Sequence, residues 1–420
     1  MKQTDPQILT FGCRLNVYES EVMRDHAKNA GLDDAIIVNT CAVTKEAERQ
    51  ARQAIRKARR NNPDAKIIVT GCSAQIDPET YASMDEVDQI IGNDLKLKAE
   101  TWGAPNFLKS EEKIRVNDIM SVTETASHLL QGFEDHSRAF LQVQNGCDHR
   151  CTFCIIPFGR GNSRSVPIGV IAEQIKTLTG QGYNEVVLTG VDVTSYGPDL
   201  PGQPTFGQMI RRVLALNPDL PRLRLSSLDP VEIDEDLWNL IENEPRLMPS
   251  LHISMQSGDN MILKRMKRRH NREDLIEMCQ KARKMRPDIS FGADIIAGFP
   301  TETEDMFQNT MDIVTECDLT FLHVFPYSER EGTPAAKMPS VDPKIRKDRA
   351  KRLRDLGDKQ LQKFLKRGLG QTMQALVEND NSARSENFTP IKLHTPQKAG
   401  TLINIQTQEI EGNALTAKIL

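Results

Sequence analysis

The stretch "CDHRCTFCIIP", residues 147–157, sets three cysteines at C-x3-C-x2-C spacing directly after the apolar run "RAFLQVQNG". A structural zinc site usually takes four ligands, and disulfides use cysteines in pairs. Thiolates are soft ligands that suit zinc or iron–sulfur clusters. A cubane 4Fe–4S cluster is normally held by four thiolates, so three leave one iron open to a substrate or cofactor. Cys147, Cys151 and Cys154 therefore indicate a cluster with one open iron.

Two other uses of these thiols fit less well. For zinc, the trio could recruit His149, but His149 lies two residues from Cys147 in a tight loop, and no second C-x2-C follows. A redox dithiol of Cys151 and Cys154 would leave Cys147 unused and lacks a thioredoxin-like context. Both alternatives stay open at this point.

Six strand-like segments follow one another from this point, and helical patterns such as "PIGVIAEQIKTLTGQG" separate them. The segments are "RAFLQVQNGC", "NEVVLTG", "RLRLSSL", "LHISMQSG", "ISFGADIIAGFP" and "LTFLHVFPYS". Six βα units in a row predict a parallel barrel or partial barrel, with its chemistry at the carboxyl ends of the strands. The cysteine stretch lies at that rim, directly after the first strand.

The first hundred residues show a second α/β pattern. The strand-like segments "QILTFGC", "AIIVNTC" and "AKIIVTGC" alternate with helical ones, which predicts an open parallel sheet. Cys13, Cys41 and Cys72 end these three segments and lie 28 and 31 residues apart, about one βα unit. Because the carboxyl ends of parallel strands share one edge, we expect the three cysteines to converge. The alternative is three unrelated buried cysteines in small turns.

The pattern changes again near the C-terminus, where "TMQALVE", "TPIKLH", "AGTLINIQTQEI" and "NALTAKIL" are short and alternating. They predict a small β-barrel module, similar in kind to folds that bind RNA, although an appendage without a partner fits as well. The expected organisation is an N-terminal α/β domain at residues 1–105, a connector at 106–137, the partial barrel at 138–367 and the β module at 368–420.

Charge and composition limit the classes of function that this chain can have. The net charge of −4 hides three basic segments: residues 49–62 and 264–272 with six Arg/Lys each, and 344–367 with eleven against three aspartates. Each could be a solvated helix face, but together they favour a polyanionic partner. The chain shows no secretory signal and no apolar run long enough for a membrane helix, so we expect a cytoplasmic protein with reduced thiols.

The C-x3-C-x2-C trio at the top of a partial (βα)6 barrel resembles the radical S-adenosylmethionine enzymes. With the three N-terminal cysteines, the chain resembles one branch of them, the methylthiotransferases, over essentially its whole length. The matching pieces are "TFGCRLNVYESE", "VNTCAVTKEAERQARQAIR", "VTGCSAQ", "NGCDHRCTFCIIPFGRGNSRS", "LTGVDVTSYG", "HISMQSGDNMILKRMKR", "DIIAGFPTETEDMF" and "LHVFPYSEREGTPA". The C-terminal module is shorter and less clearly marked than the RNA-binding TRAM domain of that branch.

Within the branch, "GCRLN", "CIIPFGRG" and "LHVFPYSEREGTPA" look most like the group that acts on N6-threonylcarbamoyladenosine in tRNA. The group that acts on isopentenyladenosine usually has Val-Val-Pro where this chain has Ile155, Ile156 and Pro157. The group that acts on a ribosomal-protein aspartate usually has His where Ser257 follows Gln256. Both groups remain alternatives, as does, more distantly, an RNA-binding protein with structural metal sites.

The resemblance implies two 4Fe–4S clusters and S-adenosylmethionine as cofactors. S-adenosylmethionine would bind the open iron of the cluster on Cys147, Cys151 and Cys154, and its cleavage would give a 5′-deoxyadenosyl radical that abstracts hydrogen from carbon 2 of the adenine. The auxiliary cluster would carry the sulfur, methylated by a second S-adenosylmethionine, and its ligands would be Cys13, Cys41 and Cys72.

Further expectations concern the rim and the partners. Gly190, Gln256 and Gly298 follow the second, fourth and fifth strands of the barrel and are candidates for contact with the cofactor, or equally turn residues. The expected partners are tRNA and an electron donor of the reductase or flavodoxin type, and the expected state is a monomer without a membrane partner.

Overall fold

The computed structural model describes residues 6–103, 112–123, 130, 132–133 and 136–420. Much of the predicted connector, residues 106–111, 124–129, 131 and 134–135, therefore lies outside the described residues. In the described ranges no helix has the length and apolar character needed to cross a membrane.

The N-terminal unit is a five-stranded parallel sheet in the order β1-β2-β3-β4-β5. Its strands are β1 (Gln7–Thr10), β2 (Ala35–Thr40), β3 (Lys66–Gly71), β4 (Gln89–Ile91) and β5 (Ile114–Arg115). Its helices are α1 (Arg14–Asn29), α2 (Lys45–Asn61), α3 (Cys72–Ile76), α4 (Pro78–Ala82) and α5 (Ala99–Gly103). The predicted open parallel sheet is confirmed. β5 is a two-residue strand in the segment that the sequence analysis assigned to the connector, and so short a strand carries no readable period.

Both faces of this sheet are covered by helices, because β2 and β3 carry apolar side chains on both sides. Ile36 and Val38 pack with Ile55 of α2 on one face, whereas Ile37 packs with Met23 of α1 on the other. Strands buried on both faces read as continuous apolar runs, which explains the segments "AIIV" and "KIIV".

The central unit contains six parallel strands: β6 (Ala139–Gln142), β9 (Glu185–Thr189), β10 (Arg222–Leu225), β11 (Ser250–Gln256), β12 (Ser290–Ala297) and β13 (Phe321–Pro326). A short antiparallel pair, β7 (Gln144–Asn145) and β8 (Arg164–Ser165), follows β6. The helices are α6 (Ile156–Arg160), α7 (Ile168–Gly180), α8 (Phe206–Leu216), α9 (Glu235–Asn243), α10 (Asn260–Met266), α11 (Arg272–Met285), α12 (Glu304–Glu316) and α13 (Pro343–Arg367).

These six strands form a partial barrel. Pairing runs β6-β9-β10 and β11-β12-β13, and two single bridges, Leu223 with Leu247 and Leu228 with Ile253, join the two sheets. Within the described ranges β6 does not pair with β13, so the barrel is open on that side. The predicted succession of six βα units is confirmed.

Alternation along the strands gives this barrel a polar interior. On β11, Leu251, Ile253 and Met255 are buried in the apolar layer under the helices. The residues between them, among them His252 and Ser254, therefore face inward, since successive side chains of a strand point to opposite faces.

The C-terminal unit is a closed five-stranded barrel in the order β14-β15-β16-β18-β17, as predicted. Its strands are β14 (Thr372–Asn379), β15 (Ser382–Ser385), β16 (Pro390–Lys392), β17 (Leu402–Glu411) and β18 (Ala414–Ile419). It packs against the amino-terminal end of the central strands, where Arg224 donates to the Ser385 carbonyl at 2.7 Å. The Phe388 ring lies 5.6 Å from Phe321 and beneath the guanidinium groups of Arg224 and Arg384.

A buried ion triad joins the N-terminal unit to the central one. Lys96 Nζ lies 2.6 Å from Glu19 Oε2, and Arg160 Nη1 lies 2.7 Å from Glu19 Oε1. All three side chains are at most 2 % exposed. Burial alone would raise the pKa of Glu19, but Arg160 and Lys96 outweigh it and hold that pKa at about 2. The carboxylate is therefore charged throughout the physiological range.

We expect Glu19→Gln to lower the free energy of unfolding by about 3–5 kcal/mol near pH 7, because it leaves two buried cations without their counter-charge. Glu19 has a lowered pKa in the folded state, so its contribution is complete above its ordinary pKa of 4.5 and fades as the pH falls from there towards 2. Urea unfolding of the metal-free chain, followed by circular dichroism, should show the difference between wild type and variant shrinking below pH 4.5. An equal difference at pH 7 and pH 3 would contradict the assignment.

Candidate metal centre

The structure brings Cys13, Cys41 and Cys72 to one edge of the N-terminal sheet. Cys13 immediately precedes α1, Cys41 directly follows β2, and Cys72 begins α3 directly after β3. The strand ends are in register, Thr10 beside Asn39 and Thr40 beside Gly71. Burial raises the pKa of the Cys41 thiol to about 12, and the nearby thiols of Cys72 and Cys13 add to the rise. Cys13 is exposed, whereas Cys41 and Cys72 are buried.

Two glycines permit this close approach. Gly12 has φ +103°, and a Cβ there would lie 2.8 Å from Cys41 Cβ and 2.9 Å from its Sγ. Gly71 has φ +98°, and a Cβ there would lie 2.3 Å from the backbone N and O of Thr40. A side chain at either position would push apart the loops that carry the cysteines.

The second trio lies on a loop that is fixed at several points by backbone hydrogen bonds. The Cys147 N–H donates to the Gly161 carbonyl at 3.1 Å, and the Thr152 N–H to the Met266 carbonyl at 3.0 Å. Burial raises the pKa of the Cys154 thiol to about 12, and the neighbouring Cys151 adds to that rise. These contacts hold the loop at the carboxyl end of β6, the rim predicted for the chemistry.

Charged side chains flank this loop on two sides. Arg268 Nη1 lies 3.6 Å from Cys151 Sγ. Asp192 Oδ2 lies 3.7 Å from Cys147 Sγ, and burial together with that carboxylate raises the pKa of Cys147. His149 is engaged with Asp192, its Nε2 lying 2.9 Å from Asp192 Oδ2, rather than turned to complete a four-ligand set with the cysteines.

The donor set fits an iron–sulfur cluster better than a single ion. Two thiolates on one zinc ion, each bound at about 2.3 Å, lie no more than about 4.6 Å apart. Among the described residues, two groups keep all their ligand atoms within 4.8 Å, and neither contains a cysteine. These groups are His252 with Asp294 and His323, and His149 with Asp192 and Glu232. Burial raises the pKa of these thiols, so they need a cationic metal nearby in order to become thiolates. A four-iron cluster can bind thiolates that lie farther apart than a single ion allows.

At the two candidate glycines of the rim, the structure leaves no room for a side chain. A Cβ at Gly190, after β9, would lie 2.8 Å from the Gln144 carbonyl, and one at Gly298, after β12, would lie 2.5 Å from Arg346 Cγ. Gln256 ends β11 with φ +65° and is half-buried. Contact of these three residues with a cofactor stays a prediction.

Sequence reasoning missed the residues that surround the cysteines. Arg268 and Arg269 lie in the basic segment 264–272 and were assigned to a surface for a polyanion. In the structure both bind Asp229, at 2.8 and 3.1 Å, and Arg268 also reaches Cys151. No signal in one sequence separates an arginine that faces a thiol from one that faces solvent.

Two family models match the chain where the two cysteine trios lie. The Radical SAM superfamily matches residues 141–314, and the Uncharacterized protein family UPF0004 matches residues 6–92. Among solved structures, the radical S-adenosylmethionine methyltransferase TsrM from Kitasatospora setae superposes with a TM-score of 0.56 at 16 % identity, over 80 % of this chain and 77 % of that one. The central unit therefore has the radical S-adenosylmethionine fold.

Full-length relatives narrow the class. The chain is 60 % identical, over 96 % of its length and 95 % of the relative's, to the threonylcarbamoyladenosine tRNA methylthiotransferase MtaB of Rickettsia prowazekii. It is 35 % identical to the protein of the same name from Aquifex aeolicus, over 94 % of this chain and 98 % of that one. It is 32 % identical to the tRNA-2-methylthio-N(6)-dimethylallyladenosine synthase of Ehrlichia chaffeensis, over 89 % and 87 %. The chain belongs to the radical S-adenosylmethionine tRNA methylthiotransferases.

We expect Gly12→Ala to reduce the iron that the chain binds after anaerobic reconstitution, because the added methyl group would meet Cys41 Cβ and Sγ. Gly31→Ala is the matched control, since Gly31 also has a positive φ (+68°) but nothing lies within 4 Å of its Cβ position. Both variants should lose about 1 kcal/mol of stability through backbone strain. Equal iron in the two variants, measured by colorimetric assay, would contradict the close packing at Cys41.

Proposed function

We propose that this chain converts N6-threonylcarbamoyladenosine, next to the anticodon of tRNA, to its 2-methylthio derivative. The observation that carries the proposal is that the two cysteine trios lie beside each other. Cys72 packs with Ile155, and a Cβ at Gly159 would lie 3.1 Å from Cys72 Cβ. Ile155 directly follows Cys154, and Gly159 lies four residues further on, so the two trios are neighbours, as sulfur insertion at a carbon radical requires.

Each trio has a distinct role in this proposal. Cys147, Cys151 and Cys154 would hold the cluster that binds S-adenosylmethionine, and Cys13, Cys41 and Cys72 would hold an auxiliary 4Fe–4S cluster. When bound, the two clusters and S-adenosylmethionine would supply the radical that activates carbon 2 and the methylated sulfur that is transferred. The protein's own residues position both trios, and Arg268 places a fixed positive charge beside Cys151.

The choice of substrate rests on similarity. The relatives at 60 % and 35 % identity are named for threonylcarbamoyladenosine, and those named for dimethylallyladenosine are 32 % identical. The proposal extends to an electron donor of the flavodoxin or reductase type and to a monomeric enzyme.

A basic surface supports the docking of tRNA. A shallow depression lies between α13 and the C-terminal barrel, and its lining is Asp358, Lys359, Gln362, Lys363, Lys366 and Asn413. The three lysines are exposed. Exposed lysines along one face give the electrostatic contact with phosphate that dominates affinity for nucleic acids.

Nucleoside mass spectrometry of tRNA tests the substrate. In cells that lack this gene, the methylthio derivative of threonylcarbamoyladenosine should disappear and threonylcarbamoyladenosine should accumulate, while the methylthio derivative of isopentenyladenosine stays unchanged. Expression of the wild-type chain should restore the product, and expression of Cys151→Ala should not. Loss of the isopentenyladenosine derivative instead would move the chain to the other tRNA group.

Iron content tests the two clusters. The wild-type chain should bind about eight irons after anaerobic reconstitution, and Cys41→Ala and Cys151→Ala about four each. Cys279→Ala is the control, because Cys279 lies in the apolar core of the central unit and should leave iron unchanged. About one zinc per chain without sulfide would contradict the proposal. A Cys151→Ala chain that no longer folds would favour an RNA-binding protein with structural metal sites.

A further inference from the structure

Arg268 brings a cation to the cysteine trio of the central unit. Its Nη1 donates a hydrogen bond to Cys151 Sγ across 3.6 Å, a separation that suits the large radius of sulfur. Cys151 is the middle cysteine of the C-x3-C-x2-C motif. As a cluster ligand this sulfur is a thiolate, and a charged acceptor makes the stronger hydrogen bond with a guanidinium.

The guanidinium of Arg268 is held in place from its other side. Its Nη2 lies 2.8 Å from Asp229 Oδ2 and 3.0 Å from the carbonyl oxygen of Ser254. The side chain of Arg268 is 10 % exposed, and that of Asp229 is 3 % exposed. Because these partners are fixed and shielded from water, the fold sets the direction of the N–H group at Cys151 before any ligand binds.

A left-handed residue brings Arg268 to this position. Helix α10 ends at Met266, and Lys267 follows it with φ +60°. The backbone turns there, and the N–H of Arg268 donates to the Leu263 carbonyl at 2.9 Å. The turn ends the helix beside the cysteine loop, within reach of the last residues of β11.

The cysteine loop is anchored without that guanidinium. Thr152, the residue after Cys151, donates its N–H to the Met266 carbonyl at 3.0 Å and its hydroxyl to the Arg265 carbonyl at 2.8 Å. Its own carbonyl accepts from the N–H of Ala335 at 2.9 Å. Backbone partners therefore fix the loop, and the guanidinium at Cys151 adds charge rather than anchorage.

A cation at a ligand sulfur acts on the redox equilibrium of a cluster. Reduction adds one electron and makes the cluster more negative. A hydrogen bond or a positive charge at a ligand sulfur stabilises the reduced form more than the oxidised form, which raises the reduction potential. A guanidinium stays protonated in proteins, so this contribution is present at any physiological pH.

One carboxylate at the same trio acts in the opposite direction. Asp192 Oδ2 lies 3.7 Å from Cys147 Sγ, and negative charge there disfavours the reduced form. Asp192 is held by two partners, His149 Nε2 at 2.9 Å and the hydroxyl of Ser195, which donates to it at 2.8 Å. Arg268 offsets this negative charge from the other side of the trio.

We propose that Arg268 raises the reduction potential of the cluster bound by the C-x3-C-x2-C trio. It thereby eases the reduction that starts the reaction, in which one electron passes from the electron donor to the cluster. The inference rests on the proposed function, which supplies both the cluster and the donor. Because Arg268 acts through a ligand sulfur, its effect is measurable in the potential itself and not only in the rate.

Arg269 provides the matched control. It binds the same carboxylate as Arg268, with its Nη2 3.1 Å from Asp229 Oδ2, and it also pairs with Glu232. Among the described residues, no hydrogen bond or ion pair joins Arg269 to a cysteine. Its side chain is 32 % exposed, so water screens its charge. A difference between the two arginine variants therefore isolates the contact with sulfur.

The test is a redox titration followed by electron paramagnetic resonance on the reconstituted full-length chain, without S-adenosylmethionine. Every variant also carries Cys41→Ala, so that the signal comes from the cluster of the central unit. At a fixed potential, Arg268→Gln should lower the ratio of reduced to oxidised cluster about tenfold, a shift of about 59 mV for a one-electron couple. Arg268→Lys should restore part of the ratio, because the charge remains. Arg269→Gln should change the ratio less than about twofold.

Asp229→Asn gives a prediction of opposite sign. Without that negative charge the guanidinium of Arg268 is less neutralised, so the ratio of reduced to oxidised cluster should rise. A purely structural role of Arg268 would not produce opposite shifts when either member of this ion pair is replaced.

The outcomes separate this inference from the proposed function. The inference is overturned, and the proposed function stands, if Arg268→Gln binds about four irons and keeps the ratio. A decrease in Arg269→Gln as large as that in Arg268→Gln would overturn it as well. If Arg268→Gln loses iron, Asp229→Asn decides, and a ratio that falls or stays the same counts against the inference. If the chain with Cys41→Ala alone shows no four-iron signal, the proposed function itself fails.

Discussion

One guanidinium, that of Arg160, fixes how the two cysteine trios face each other. It lies on α6, the helix that directly follows Cys154, and it donates to Asn16 Oδ1 at 2.6 Å and to Glu19 Oε1 at 2.7 Å. Asn16 in turn donates to the carbonyls of Phe11 and Thr40, the residues that lead into Cys13 and Cys41. A buried network of this kind contributes little net stability, but it permits one orientation only, because any other would leave charge uncompensated.

The two faces of the barrel strands have different roles. Apolar residues on the outer face of the barrel strands make the core under the helices, and this leaves the inner face free for polar side chains. The N-terminal unit adds Arg14 to the lining of that interior, and the C-terminal unit adds Phe388. Residues of all three units therefore line the interior of the barrel.

Much of this arrangement could be predicted from the sequence, because strands and strand ends follow from local patterns. The apolar runs before Cys13, Cys41, Cys72 and Cys147 predicted the sheet, the barrel and the positions of the cysteines at the strand ends. The charged residues could not be predicted in the same way. Glu19 and Lys96 lie in segments that resemble solvated helix or loop, and their burial depends on Arg160, which is 141 residues from Glu19 along the chain. Pairings over such separations leave no periodicity in a single sequence.

The packing of Phe388 against the base of the central barrel has a consequence for how the C-terminal unit is understood. Its ring is enclosed by Phe321 and by the guanidinium groups of Arg138, Arg224 and Arg384. Removing residues 368–420 would uncover the amino-terminal end of the barrel and admit water to the arginine cluster around Glu185. A truncated chain would therefore lose this packing together with any RNA contact of the module, so the two effects would not be separable. Substitutions of Lys359, Lys363 and Lys366 on α13 leave the packing of Phe388 in place.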